Sequence, residues 1–114
     1  MDETCVFCSI VSGDLQSEII DSSDTCLAIN DNSPVANTHV LVIPREHVLY
    51  LSDLAHKDLH LVQDMYALAL KIVRSCELEL NGYRLVINQK DDGGQQVPHL
   101  HLHLIGGESL GPMG

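Results

Sequence analysis

Basic side chains are scarce in this sequence. Six Lys and Arg stand against 16 Asp and Glu, a formal charge of −10. That balance excludes general binding to nucleic acid or to an anionic membrane, since both need a basic surface. It leaves room for a small anionic ligand, because a local site can be positive on an acidic protein. Long apolar runs are lacking too. No window reaches the roughly 18 consecutive apolar residues that cross a bilayer. The start, "MDETCVFCSI", has no basic segment leading into an apolar one, so it does not read as a secretory signal. The expectation is a soluble, cytoplasmic protein with no membrane partner. Neither GxxxxGKS/T nor GxGxxG occurs, which excludes the P-loop and Rossmann modes of nucleotide binding. Internal repeats, low-complexity tracts and linkers are missing as well. The 114 residues fit one domain, 1–114.

Apolar residues make up 45% of the chain, enough for a core. A domain this small still buries a modest fraction of its surface, so support from a metal or a partner subunit would be unsurprising. Seven histidines are many for this length. Histidine is the commonest metal ligand and acid–base group. The four cysteines are not counted as two disulfides, because the cytosol keeps thiols reduced.

Periodicity outlines the elements. "CVFCSIVSGDL" suits a short helix or turn broken at Gly-Asp. Thr25 to Asn30 is a strand ending in the turn formers "NDNSP". "HVLVIPR" is a stronger strand, with an unbroken apolar run from Val40 to Ile43 stopped by Pro44. Over residues 53–80, Leu54, Leu61, Val62, Met65, Tyr66, Ala69, Ile72, Val73 and Cys76 recur at helical steps. Ser52 or Asp53 can cap that helix, and Asn81-Gly82 can end it. "YRLVIN" is the next strand, "QKDDGGQQ" a polar turn, and "VPHLHLHLI" the last strand. The short final connection favours an antiparallel sheet backed by a helix, an α+β fold. Leu100, Leu102 and Leu104 would face that helix.

In the last strand His99, His101 and His103 would stand in one row, about 6.6 Å apart. Three readings compete: a metal site, a catalytic set, or a solvated face rich in histidine. One neutral imidazole can act as nucleophile while another donates a proton. Three charged imidazoles so close would repel, so at least one should be neutral near pH 7. The glycine-bearing turn before them can cradle phosphate oxygens with backbone N–H groups. Elsewhere the signals are weaker. Cys5-Val6-Phe7-Cys8 is a CxxC, which alone often means core. Cys26 and Cys76 read as buried thiols in apolar segments. His56 and His60 lie four apart on the expected helix, but no HExxH is present and a solvated face is the better reading. Arg45 and Lys90 read as surface residues, and His39 on its own reads as structural.

The stretch "HLHLHLI", His99 to Ile105, matches the signature of the histidine triad family, His-φ-His-φ-His-φ-φ with φ apolar. "CVFCSIVSGDL", "CLAINDNSP", "THVLVIPREH", "YRLVIN" and "DGGQQVPHLHLHLIGG" resemble family blocks in family order. The resemblance therefore covers nearly the whole chain. "DGGQ" and the "GG" after the triad are similar to the Hint branch, the nucleoside phosphoramidases. The fragile-histidine branch, which cleaves dinucleoside polyphosphates, usually carries Pro-Arg there.

The resemblance implies an antiparallel sheet of about five strands, one long helix and a short N-terminal helix. It also implies a homodimer that joins sheets across a two-fold and shares the long helix. The implied activity is hydrolysis of nucleoside phosphoramidates or related nucleotidyl conjugates, with a purine nucleotide or nucleoside phosphoramidate as substrate. His101 would attack the α-phosphorus and form a nucleotidyl-histidine that water then hydrolyses. His103 and His39 would orient and tune it, with His99 beside the leaving group. Asn88, Gly94 and Gln96 would hold the phosphate and leaving group. Asp31 would accept hydrogen bonds from the ribose, and Phe7, Ile10 and Ile29 would line the base pocket. Family members with this CxxC bind a structural zinc, which implies Cys5, Cys8, His47 and His99 as ligands; catalysis itself needs no metal. A zinc-bound His99 is not a free proton donor, and would hold the strand instead. Two departures stand out. Gln96 occupies a position where the family has Ser or Thr, and the tail "ESLGPMG" lacks the branch's Trp-Pro-Pro-Gly. They motivate one alternative, a nucleotide-binding or scaffold protein with little turnover; a dinucleoside polyphosphate hydrolase and a metalloenzyme using the three histidines directly also stay open.

Overall fold

In the computed structural model, which describes residues 5–113, α1 is Val6–Ser12, β1 Ile19–Ser22, β2 Cys26–Asn30, β3 Thr38–Pro44, α2 His60–Ser75, β4 Tyr83–Val86 and β5 Leu102–Gly106. The strands form one antiparallel sheet in the order β1-β2-β3-β5-β4. The expected α+β fold, with a five-stranded sheet and two helices, is what forms.

Period-two alternation decides what each face buries. Cys26 and Ala28, Val40 and Val42, and Leu102 and Leu104 point one way, against Met65, Leu68, Ala69, Ile72 and Val73 of α2. Leu27 and Ile29, with Leu41 and Ile43, point the other way, beneath Phe7, Cys8 and Ile10 of α1. The central strand β3 is thus buried on both faces, which explains its unbroken apolar run. Leu100, Leu102 and Leu104 are fully buried on the α2 side, as expected.

The long helix is shorter than its periodicity. Residues 51–53 and 56–58 form separate 3₁₀ turns, split by extended backbone at Leu54 and Ala55. Neither Ser52 nor Asp53 caps α2; its N-cap is Leu59, which makes no side-chain cap bond. At the other end Cys76 caps it and Glu77 turns left-handed at φ 58°, ahead of a 3₁₀ turn over Leu78–Leu80. Leu78 still reaches the α2-side core, so the apolar phase runs on where the helix does not. Cys26 is buried as expected, but Cys76 is exposed at the helix end. His56 and His60 are exposed, on a 3₁₀ turn and at the start of α2.

The last strand also starts late. Its ladder begins at Leu102, opposite Val42. Beyond that point Pro44 has no N–H to give, and its carbonyl is taken by the His99 side chain at 2.8 Å. The Leu100 N–H pairs instead with the Val48 carbonyl at 2.6 Å. β4 stops at Val86, two residues short of Asn88, and β1 went unmarked by any periodicity.

Candidate active site and metal cluster

His101 is buried, and its Nδ1 lies 2.8 Å from the His99 carbonyl. A carbonyl only accepts, so Nδ1 carries the proton and Nε2 keeps the lone pair. Burial pulls the His101 pKa below the ordinary histidine range, so the ring is neutral at pH 7. A neutral imidazole with a free Nε2 is a nucleophile.

His39 and His103 form a directed pair beside it. The Val35 backbone N–H donates to His39 Nδ1 at 3.1 Å. His39 therefore carries its proton on Nε2, where it meets His103 Nδ1 at 2.9 Å and an Asp31 carboxylate oxygen at 3.4 Å. His103 accepts at Nδ1 and so holds its own proton on Nε2. Its pKa is pushed down to about 4, mainly by burial and then by the neighbouring His101 and His39, with Asp31 opposing. The His101 and His103 rings are 5.0 Å apart. The result is one nucleophilic nitrogen next to one neutral N–H donor.

These groups line a cleft of about 270 Å³ with Phe7, Asp31, Asn88, Gly94 and Gln96. Ser33, Val35, Leu41 and Val97 complete it and were not singled out from sequence. The proximity of Ser33 and Val35 to Asp31 in "NDNSP" was the available signal. Asp31 is fixed by the Ser33 N–H on Oδ1 at 2.8 Å. Asn88 Nδ2 donates to the Gly93 carbonyl at 2.7 Å, closing the glycine turn. At Gly93 a Cβ would sit 2.3 Å from the Gln89 carbonyl oxygen, so no larger residue fits there. Gln95 clasps the same turn, accepting the Lys90 N–H and donating to the Leu49 and Val97 carbonyls. Ile10 and Ile29 are buried in the α1-side core and do not line the cleft. A larger depression, about 590 Å³, lies around Asp24, Arg45, His47 and Asp58. It contains neither His101 nor the glycine turn, so size does not mark this site.

His99 belongs elsewhere. Cys5 Sγ, Cys8 Sγ, His47 Nδ1 and His99 Nδ1 lie within 4.8 Å of one another. Cys5 caps α1, its sulfur accepting the Cys8 N–H at 3.4 Å. His99 Nδ1 is 3.3 Å from Cys5 Sγ, and His47 Nδ1 is 3.0 Å from Cys8 Sγ. The second ring nitrogen of His99 donates to the Pro44 carbonyl, which leaves Nδ1 as an acceptor. Burial keeps this ring neutral, the form a metal takes. Two sulfurs and two imidazole nitrogens, with a hydrogen-bonded outer shell, suit a tetrahedral structural zinc. These four residues are positioned to hold a metal ion.

Asp31, His39 and His103 also bring three donor atoms within 4.8 Å. The Val35 amide argues against a metal there, because it forces the proton of neutral His39 onto the very nitrogen a metal would need. The three strand histidines do not converge on one point. His99 faces the cysteines, and His101 and His103 face the cleft.

The sequence profile of the HIT domain matches residues 12–110. A purine nucleoside phosphoramidase from Escherichia coli K12 is 36% identical over 113 residues, covering 99% of this chain and 95% of that protein. A histidine triad protein from Clostridium difficile superposes with a TM-score of 0.95 at 34% identity, covering 100% of this chain and 99% of that one. A HIT family hydrolase from Legionella pneumophila superposes at 0.89 with 37% identity, over 93% and 95% of the two chains. The chain belongs to the HIT domain family. No helix among its described residues is long and apolar enough to cross a membrane.

Proposed function

We propose that this protein is a single-domain hydrolase acting at the α-phosphate of purine nucleoside phosphoramidates or related nucleotidyl conjugates. One observation carries the reading: His101 spends its Nδ1–H on the His99 carbonyl and keeps Nε2 free in a cleft closed by a glycine turn. In the first step the Nε2–P bond forms and the substrate's P–N bond breaks. The amine leaves with the bonding pair and takes a proton from a solvent water, the donor of this step, while His103 Nε2–H can hydrogen-bond a phosphate oxygen. Water then attacks phosphorus, the Nε2–P bond breaks, and its pair returns to His101. The water's proton restores the donor. The turn amides around Gly94 and the Asn88 and Gln96 side chains bind phosphate and leaving group. Asp31 receives the ribose hydroxyls, and Phe7 borders the base. His99 contributes its carbonyl. The E. coli relative's name supports the phosphoramidate substrate class.

A structural zinc on Cys5, Cys8, His47 and His99 would anchor the start of α1 and the histidine strand. Exposed Leu59 and Tyr66 on the α2 side, with Tyr83 on the open edge strand β4, fit a homodimer through that edge. Sedimentation should return twice the chain mass, and a monomer at micromolar concentration would count against it.

The decisive assay is hydrolysis of adenosine 5′-phosphoramidate, with diadenosine tetraphosphate alongside. AMP should be released from the phosphoramidate, and His101→Ala should lose turnover by on the order of a thousandfold or more. Preference for the dinucleotide would move the protein to the polyphosphate hydrolases. The exposed Gln96 at the cleft, where the family has a hydroxyl, supports one competing reading, a nucleotide-binding protein with little turnover. AMP binding without release by the wild type would favour that reading.

A further inference from the structure

His99 has two jobs in two sites. Its ring lies in the cysteine cluster, while its carbonyl holds the proton of His101. Phe7 makes a second bridge. It stands between the two cysteines in the chain, is buried, and packs edge-on against both His99 at 5.7 Å and His101 at 5.1 Å. It also lines the cleft. α1 has only seven residues, and Cys5 is its cap. A helix that short is not stable by itself, so its order comes from what anchors it.

We propose that the Cys5–Cys8–His47–His99 cluster is coupled to the cleft through Phe7 and His99, so that zinc held by these four side chains tightens binding of a nucleoside monophosphate. This rests on the nucleotide reading of the cleft. With the cluster filled, α1, Phe7 and the His99 carbonyl are already ordered when the nucleotide arrives. With it stripped, nucleotide binding must order them itself, and affinity falls. Linkage then requires the nucleotide to raise zinc affinity by the same factor. Phe7 and His99 act here as positioning residues.

The test uses the full chain in zinc buffers, with AMP as the probe. Calorimetry should find AMP binding weaker by roughly tenfold, within the usual range of coupling, at free zinc too low to fill the cluster. Competition against a chromogenic chelator should find zinc bound tighter by the same factor when AMP saturates. His47→Ala removes a ligand that makes no ring contact with Phe7 or His101, although it packs edge-on against His99 at 5.0 Å. Its AMP affinity should be low at zinc levels that saturate the wild type, and should recover as zinc is raised. That recovery separates coupling from damage to the fold. An AMP affinity that stays constant while the cluster goes from stripped to filled would overturn the coupling and leave the nucleotide site standing. AMP binding to neither form would overturn the nucleotide reading, and the coupling with it.

Discussion

Two histidine clusters lie on the same face of the sheet, and they use the same side chain in opposite ways. In the cysteine cluster, the outer nitrogen of His99 donates to a carbonyl, so the inner one offers a lone pair to a metal. In the cleft, the outer nitrogen of His39 accepts from an amide, so the inner one offers a proton. Both clusters gather donor atoms within 4.8 Å. What separates a metal ligand from a proton carrier is therefore one backbone group behind each ring. Proximity of ligating residues is a poor guide until the second nitrogen is accounted for.

Changing one cluster and measuring the other should give the largest effect. His101→Ala should abolish turnover while leaving zinc stoichiometry untouched; loss of zinc in that variant would mean the two sites are not chemically distinct. Next comes the metal itself. Zinc should bind at one ion per chain and vanish in Cys8→Ser. At free zinc about a thousandfold above its dissociation constant it should add about 4 kcal/mol to unfolding stability, read by urea melts with and without chelator. A second ion that requires Asp31 would contradict the proton assignment at His39.

Acid provides a third test. The His103 pKa is depressed to about 4 in the folded chain, against an ordinary value of 6.5. Between those values the unfolded chain binds more protons, so stability should fall as pH drops through this window and level off below it. His103→Asn should flatten that slope, seen in urea midpoints taken from pH 7 to pH 4. An unchanged slope would show that His103 is not the buried neutral group. The smallest effect should come from Gln96→Ser at the cleft rim, a severalfold gain in phosphoramidate turnover with zinc affinity unchanged.

Much of this was legible in the chain. Leucines and histidines alternate because a strand has two faces, and the leucines did find the helix. Helix length was overread because Leu54 and Leu78 keep helical phase while the backbone breaks at Ala55 and Glu77. Apolar phase reports burial, and backbone continuity is a separate matter. β1 was missed because Ile19 and Ile20 are both exposed on an edge and show no alternation. The resemblance implied Phe7, Ile10 and Ile29 for the base pocket, yet of these three residues only Phe7 lines the cleft, while Ile10 and Ile29 are buried in the α1-side core.

The residues themselves determined the α+β class, the face each strand residue takes and the triad strand, because period-two geometry and side-chain chemistry are local. Tertiary structure decided which distant partners His99 and His103 meet. Pro44 lies 55 positions from His99 in the chain, and His39 lies 64 from His103. Folding brings the Pro44 carbonyl behind His99 and sets His39 against His103, whereas the carbonyl on His101 and the amide on His39 come from two and four residues away. Those contacts choose which ring nitrogen keeps its proton and which offers a lone pair, so neighbouring histidines of one row differ in the chemistry open to them.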